Sequence, residues 1–315
     1  MGSFAPTRSA ARDVRFDRWL AAATLAPLVA FGALRIAGDA PGWLVAITLF
    51  LGAPHVLATL GLYADHGMAP IIAADRRRYV WWPLALIPAS ALAFWALHGA
   101  AAILLVTAFL LWQTQHYTKQ NVGVFGLWCR ARGASPMDER ERALITATTA
   151  IGVLGILRAM ELAPTSDRWL QGSGLVLSAA MLLVAVTPWR GARTGALVLA
   201  VVFYAPLHIF TTDLLGAAFL YQAAHGAQYY VVVGRTIRSD RRASRVAIVA
   251  VLVGGVIPIA LLSSSSFATQ PVLFGVAKGI AAAHFLADAR LWRLRDPKIR
   301  AVLGQRLTFL QPAAG

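Results

Sequence analysis

The sequence predicts an all-α protein, a polytopic transmembrane helix bundle of about ten spans with both termini cytoplasmic. Three observations predict it. Of the 315 residues, 58% are hydrophobic and 14% charged, with a mean hydropathy of +0.63. Apolar runs recur down the whole chain at about the 20 residues that cross a hydrocarbon core ~30 Å thick. Finally, with the N-terminus inside, all but four of the 29 Lys and Arg residues fall on cytoplasmic segments, the exceptions being Arg35, Arg158, Arg168 and Lys278. Cytoplasmic loops of membrane proteins carry just such an excess.

The elements follow in order. A basic tail over 1–17 precedes the first span, 18–37, whose apolar stretch is too long for a signal peptide and is followed by no convincing small-residue cleavage site. The second span covers 42–64; the third, 80–97, opens on Trp81 and Trp82, and the fourth, 99–118, contains Trp112 and ends before Lys119. Aromatic residues at span ends act as interface anchors. Asp138 to Arg142, with Ser135 as a candidate cap, form the solvated start of a fifth helix over 143–163. A sixth span, 171–188, lies between Trp169 and Trp189. The seventh and eighth, 194–214 and 216–234, nearly abut, so a re-entrant hairpin stays open there. The ninth, 246–263, follows the basic run from Arg241 to Arg245 and leads into Ser263–Ser266, an external loop, and the tenth covers 271–292. The 18–292 segment reads as one bundle and 293–315 as a cytoplasmic tail, in a multi-pass protein of a bacterial-type inner (plasma) membrane.

The net charge of +15 follows from orientation in the lipid bilayer and attraction to anionic headgroups, so no nucleic-acid partner is implied. The single Cys129 excludes an intrachain disulfide and a thiolate-rich metal site.

Five of the seven histidines lie within spans: His55, His116, His208, His225 and His284. Ionisable groups in a membrane are costly and usually serve a purpose. Each lies with polar companions at helical spacing: Thr48, His55, Thr59 and Tyr63; Gln113, His116 and Gln120; Gln222, His225 and Tyr229; His284 and Asp288. Such stripes face the bundle interior, because lipid offers them no partner. Helical rise puts His55, His225 and His284 in one layer, with His116 deeper toward the cytoplasm and His208 nearer the outer face. Taken singly, each histidine has an equally good reading as an interhelical hydrogen-bonding group. Five together, with Asp288, predict a shared metal site. Imidazole suits iron, copper and zinc, and the carboxylate tilts the choice to non-haem iron, as one or two ions. Tyr117, Gln228 and Tyr229 are candidates to line the pocket. Arg158 with Glu161 reads as a local ion pair and Lys278 as an outward-snorkelling or substrate-holding cation, while Asp213 lies off the His208 face.

Gly52-Ala53-Pro54-His55, His116-Tyr117, His225-Gly226 and His284 with Asp288 resemble the scattered histidine motifs of the Brp/Blh beta-carotene dioxygenases, multi-spanning membrane proteins. That resemblance implies a helical membrane architecture and iron chemistry. It does not imply a carotenoid, since His225-Gly226-Ala227 leads to Gln228 and Tyr229 and not to the family's His-Gly-Ala-x-Asp element. The dense H-x-x-H-H clusters of desaturases and alkane hydroxylases are missing from the sequence.

The reading is therefore an oxygenase or oxidase acting on a lipophilic small molecule, with an electron donor as a further partner. A haem-binding electron carrier and a His/Asp proton-coupled transporter are the alternatives. The transporter reading expects two related halves, and the sequence shows no convincing repeat.

Overall fold

The computed structural model describes residues 14–37, 51, 54–159, 167–187, 191–209, 214–264 and 270–310. These residues are helical, with no strand among them. The helices are α1 Val14–Ala37, α2 His55–Ala64, α3 Ala69–Ala74, α4 Trp82–Ala96, α5 Gly99–Ala131, α6 Glu139–Ala159, α7 Asp167–Val186, α8 Ala192–Val201, α9 Pro206–Ile209, α10 Leu214–Ile237, α11 Arg241–Ser264, α12 Pro271–Leu291 and α13 Pro297–Arg306. A π-turn, Arg77–Trp81, runs into α4, and a 3-10 turn, Thr308–Leu310, follows α13.

Each expected segment contains helix, but α2 and α8, in the second and seventh, are 10 residues long apiece. Three stretches among the described residues, Arg77–Ala96, Asp167–Val186 and Pro271–Leu291, are long and apolar enough to cross a membrane, fewer than the ten spans expected. In α5 the shortfall has a physical reason, since that helix holds Gln113, Gln115, His116, Lys119, Gln120 and Asn121. Helices that turn polar groups inward lose mean hydropathy. Residues 42–50 of the second expected span, Glu161, Asp213 and most of the N-terminal tail lie outside the described residues.

Small residues set the closest packing. A side chain on Gly275 would stand 2.7 Å from the Cα of Ala91, and one on Gly279 would stand 2.6 Å from the Cα of Ile87, so α12 and α4 meet backbone to backbone. Gly61 does the same for α2, where a Cβ would lie 2.8 Å from that of Ala247 on α11. Two buried clusters result. One gathers Tyr117, Phe125, Trp128, Tyr204, Tyr221 and Phe285, the other Leu62, Met68, Tyr79, Tyr229, Val233 and Leu291. Tyr117 belongs to the first and Tyr229 to the second, and the buried histidines lie between them.

The ends of the chain pack on the same scaffold. Phe16 of α1 and Phe309 of the last turn bring their rings to 5.1 Å, and Asp17 accepts from Nε of Arg132 at 2.7 Å, just past the end of α5. In the predicted tail, Asp296 caps α13 by accepting from the Lys298 amide at 2.9 Å. Arg306 Nη2 then donates to Asp65 at 3.1 Å.

Candidate metal centre

Four of the five predicted histidines converge. His55 opens α2, where Pro54 precedes the first turn; His116 comes from the middle of α5, His225 from α10 and His284 from α12. All four are buried. Ring centroids lie 4.7 Å apart for His55 and His225, 5.1 Å for His55 and His284, 5.2 Å for His116 and His225, and 5.3 Å for His116 and His284. His116 therefore joins the other three. The expected span ended at 118, whereas α5 continues to Ala131, which moves its midpoint toward His116.

The imidazole nitrogens point to a missing partner. A neutral imidazole carries one N–H donor and one lone-pair acceptor, and leaving either unmet in a buried site costs free energy. Nε2 of His116, Nε2 of His284 and both ring nitrogens of His225 have no hydrogen-bond partner among the described residues. One ligand atom from each of His55, His225 and His284 lies within 4.8 Å of the others, and the same holds for His116, His284 and Asp288. Two nitrogens on one ion stand at most about 4 Å apart, twice the metal–nitrogen distance, so small side-chain rotations close either group.

A hydrogen-bond chain orients His284. Tyr229 donates its hydroxyl proton to Oδ1 of Asp288 at 2.7 Å and lies 2.8 Å from Oγ1 of Thr59, which is 2.9 Å from Nδ1 of His284. Each hydroxyl has one proton. With the Tyr229 proton on Asp288, the Thr59 proton goes to Tyr229, and Nδ1–H of His284 donates to Thr59. The tautomer so assigned leaves a lone pair on Nε2, which faces Oδ2 of Asp288 at 3.6 Å.

Aromatic rings close the cluster off from water. Tyr117 stacks on His225 with centroids 3.8 Å apart and is held by the Gln113 amide, while Phe285 stacks on His116 at 4.3 Å. Gly226 lets the chain near Leu51 come close: a Cβ there would collide with the Leu51 carbonyl oxygen and stand 3.1 Å from Nδ1 of His55.

Two predicted residues lie elsewhere. Nε2 of His208 hydrogen-bonds the Ile151 carbonyl oxygen at 2.9 Å, and its ring faces Gly174, so it belongs to the α6–α7 side. The sequence marks a bend at Pro206, and the helix breaks at the 3-10 turn Val202–Tyr204 just before it, which alters the facing of His208. Tyr204 takes the place next to α5, donating to the Thr114 carbonyl oxygen at 2.7 Å. Gln228 points away from the histidines and donates to Thr24 at 2.9 Å. Lys278 lies between Phe109 and Phe274, at 4.8 and 4.9 Å from the ring centroids, and Arg158 pairs with Asp167 at 2.7 Å. Thr59 is the important member that the sequence reading left without a role, though its four-residue spacing from His55 signals it.

These features define a class: a helical protein with membrane-length apolar helices and a buried His/Asp grouping able to hold a metal ion. No protein-family model, curated protein or solved structure matches the chain.

Proposed function

We propose that this protein is a membrane-embedded non-haem iron oxygenase or oxidase acting on a lipophilic small molecule. The observation that carries the proposal is the convergence of four buried imidazoles, two of them, His116 and His284, grouped with Asp288, with ring nitrogens of His116, His225 and His284 left without hydrogen-bond partners among the described residues. Iron held there would supply the oxygen and redox chemistry. The residues around it keep the site dry, present Nε2 of His284 in its lone-pair tautomer, and hold the Asp288 carboxylate through Tyr229. Iron is favoured over copper or zinc by the carboxylate among the imidazoles. Direct ring-to-ring contacts favour a bare ion over a haem, which needs a slot between its axial ligands. Both candidate ligand groups use His284, whose Nδ1 is taken by Thr59, so one ion is the simpler occupancy than two. The motif-level resemblance to Brp/Blh enzymes supports the same chemistry.

The reading includes ten spans in a plasma membrane with both termini cytoplasmic, and an electron donor as partner. Metal analysis and the visible spectrum of detergent-purified protein test the central point. One equivalent of iron without a Soret band is expected, and His225→Ala and His284→Ala should each remove most of it. Metal-free protein, or full iron content in both variants, overturns the proposal.

A further inference from the structure

A cavity of about 500 Å³ lies on the other side of α5 from the histidines, between α1, α5 and α8. Volumes of this order hold small-molecule ligands. Its α5 wall is a single helical stripe of Asn121, Phe125, Trp128 and Arg132, at spacings of four, three and four residues. Leu20, Val124 and Leu199 add apolar wall, while Arg18 and Arg132 mark one end and Thr24, Asn121 and Gln228 the other. The Asn121-to-Arg132 separation corresponds to about 16 Å of helix.

The inner end has an unanswered donor. Asn121 is buried, and its Nδ2 has no hydrogen-bond partner among the described residues. Its neighbours are already engaged: Gln228 donates to Thr24, and Gln120 donates to the His225 carbonyl oxygen at 3.0 Å. Among the described residues no charged side chain lines the inner end; the charged groups among them that line the cavity, Asp17, Arg18 and Arg132, are all at the other. A carboxylate or phosphate buried at the inner end would lack a cation, which is costly. An uncharged oxygen accepting one hydrogen bond fits.

We infer that this cavity binds a membrane-soluble molecule with an apolar chain and an uncharged oxygen, of an alcohol, aldehyde or ketone, at its leading end, where Asn121 donates to it. The chain lies along Phe125 and Trp128 toward Arg132. The site is separate from the histidine cluster and does not depend on what metal, if any, the cluster holds.

Photolabelling tests it on the full chain in lipid nanodiscs, with a hexadecanol carrying a mid-chain diazirine as the probe and peptide mapping as the readout. Label is expected on the α1 and α5 walls, around Leu20 and Val124. Asn121→Leu should reduce it about fivefold, the factor set by one net hydrogen bond of about 1 kcal/mol. Gly195 lines the cavity, and a Cβ there meets nothing within 4 Å, so Gly195→Trp fills the space without a clash at its base and should bring labelling down to the lipid-facing background. Unlabelled hexadecanol should compete and hexadecanoate should not. Iron content should be unchanged in both variants, which separates this site from the metal reading. Labelling spread evenly over the lipid-facing helices, or unaffected by both variants, overturns the inference, and equal competition by hexadecanoate overturns its uncharged end.

Discussion

At the scale of single residues, the histidines and Asp288 were legible because their companions repeat at helical spacing. Thr59 carries a sharper test. Its hydroxyl joins His284 to Tyr229, so Thr59→Val should leave Nδ1 of His284 without its acceptor while keeping the side-chain shape. Loss of a group that orients a ligand lowers metal affinity roughly 10- to 100-fold. The expected result is that loss in Thr59→Val and near-normal affinity in Thr59→Ser, measured by metal titration. Asp288→Asn separates two roles: a fall of the same 10- to 100-fold marks an orienting carboxylate, and loss as complete as in His284→Ala marks a direct ligand. Equal affinity in all these variants would remove α12 from the centre. What sequence could not give was the facing of His208: Pro206 signals the break at Val202–Tyr204, but not the rotation that the chain takes across it.

Elements meet where glycine removes a side chain, and those contacts are testable by adding one back. Gly226→Ala places a methyl group against the Leu51 carbonyl oxygen, backbone that cannot swing aside as a flexible side chain would. Overpacking of this kind costs about 1–3 kcal/mol. A lowered melting temperature together with weaker metal binding is expected, since the same methyl crowds His55; Gly123→Ala, which meets nothing within 4 Å, is the matched control. The junction of α10 and α11 offers a pH test. Asp240 accepts from the amide of His66 at 3.0 Å and its ring Nδ1 at 2.6 Å, and from the amides of Arg242 and Ala243 at 2.9 and 3.1 Å. The His66 amide first, then that of Ala243 and the His66 ring, hold its carboxyl well below the usual carboxylate range. A folded pKa depressed in this way contributes stability above the unfolded value near 4, lost as pH falls through the lower folded value. Asp240→Asn should therefore melt earlier than the parent at pH 7, with the gap closing only in strong acid. A gap that widens on acidification would contradict the assignment.

For the whole molecule, hydropathy and charge anticipated an all-helical chain with apolar helices of membrane length. They did not give depth. Helix α5 runs 33 residues, about 50 Å, well past the length that a hydrocarbon core defines, so its expected end at 118 fell short. Nor could a one-dimensional pattern show the Asn121 cavity, whose walls come from helices far apart in sequence. The proposed orientation predicts that reporters fused after Arg78, Arg132 or Arg242 are cytoplasmic and those after Asp167 or Ser265 external. An external reporter at Arg242 would show that the seventh and eighth spans are miscounted.

The contact between Phe16 and Phe309 also bears on how the protein is made. Helix α1 leaves the ribosome early, yet the ring that Phe16 packs against arrives only after every residue of the candidate metal centre has been synthesised. Contacts between distant parts of a chain form slowly, because a long loop must close before they return any free energy. During that interval α1 covers the cavity beside α5 without its final clamp. The Phe16–Phe309 contact is thus among the last that the chain can make.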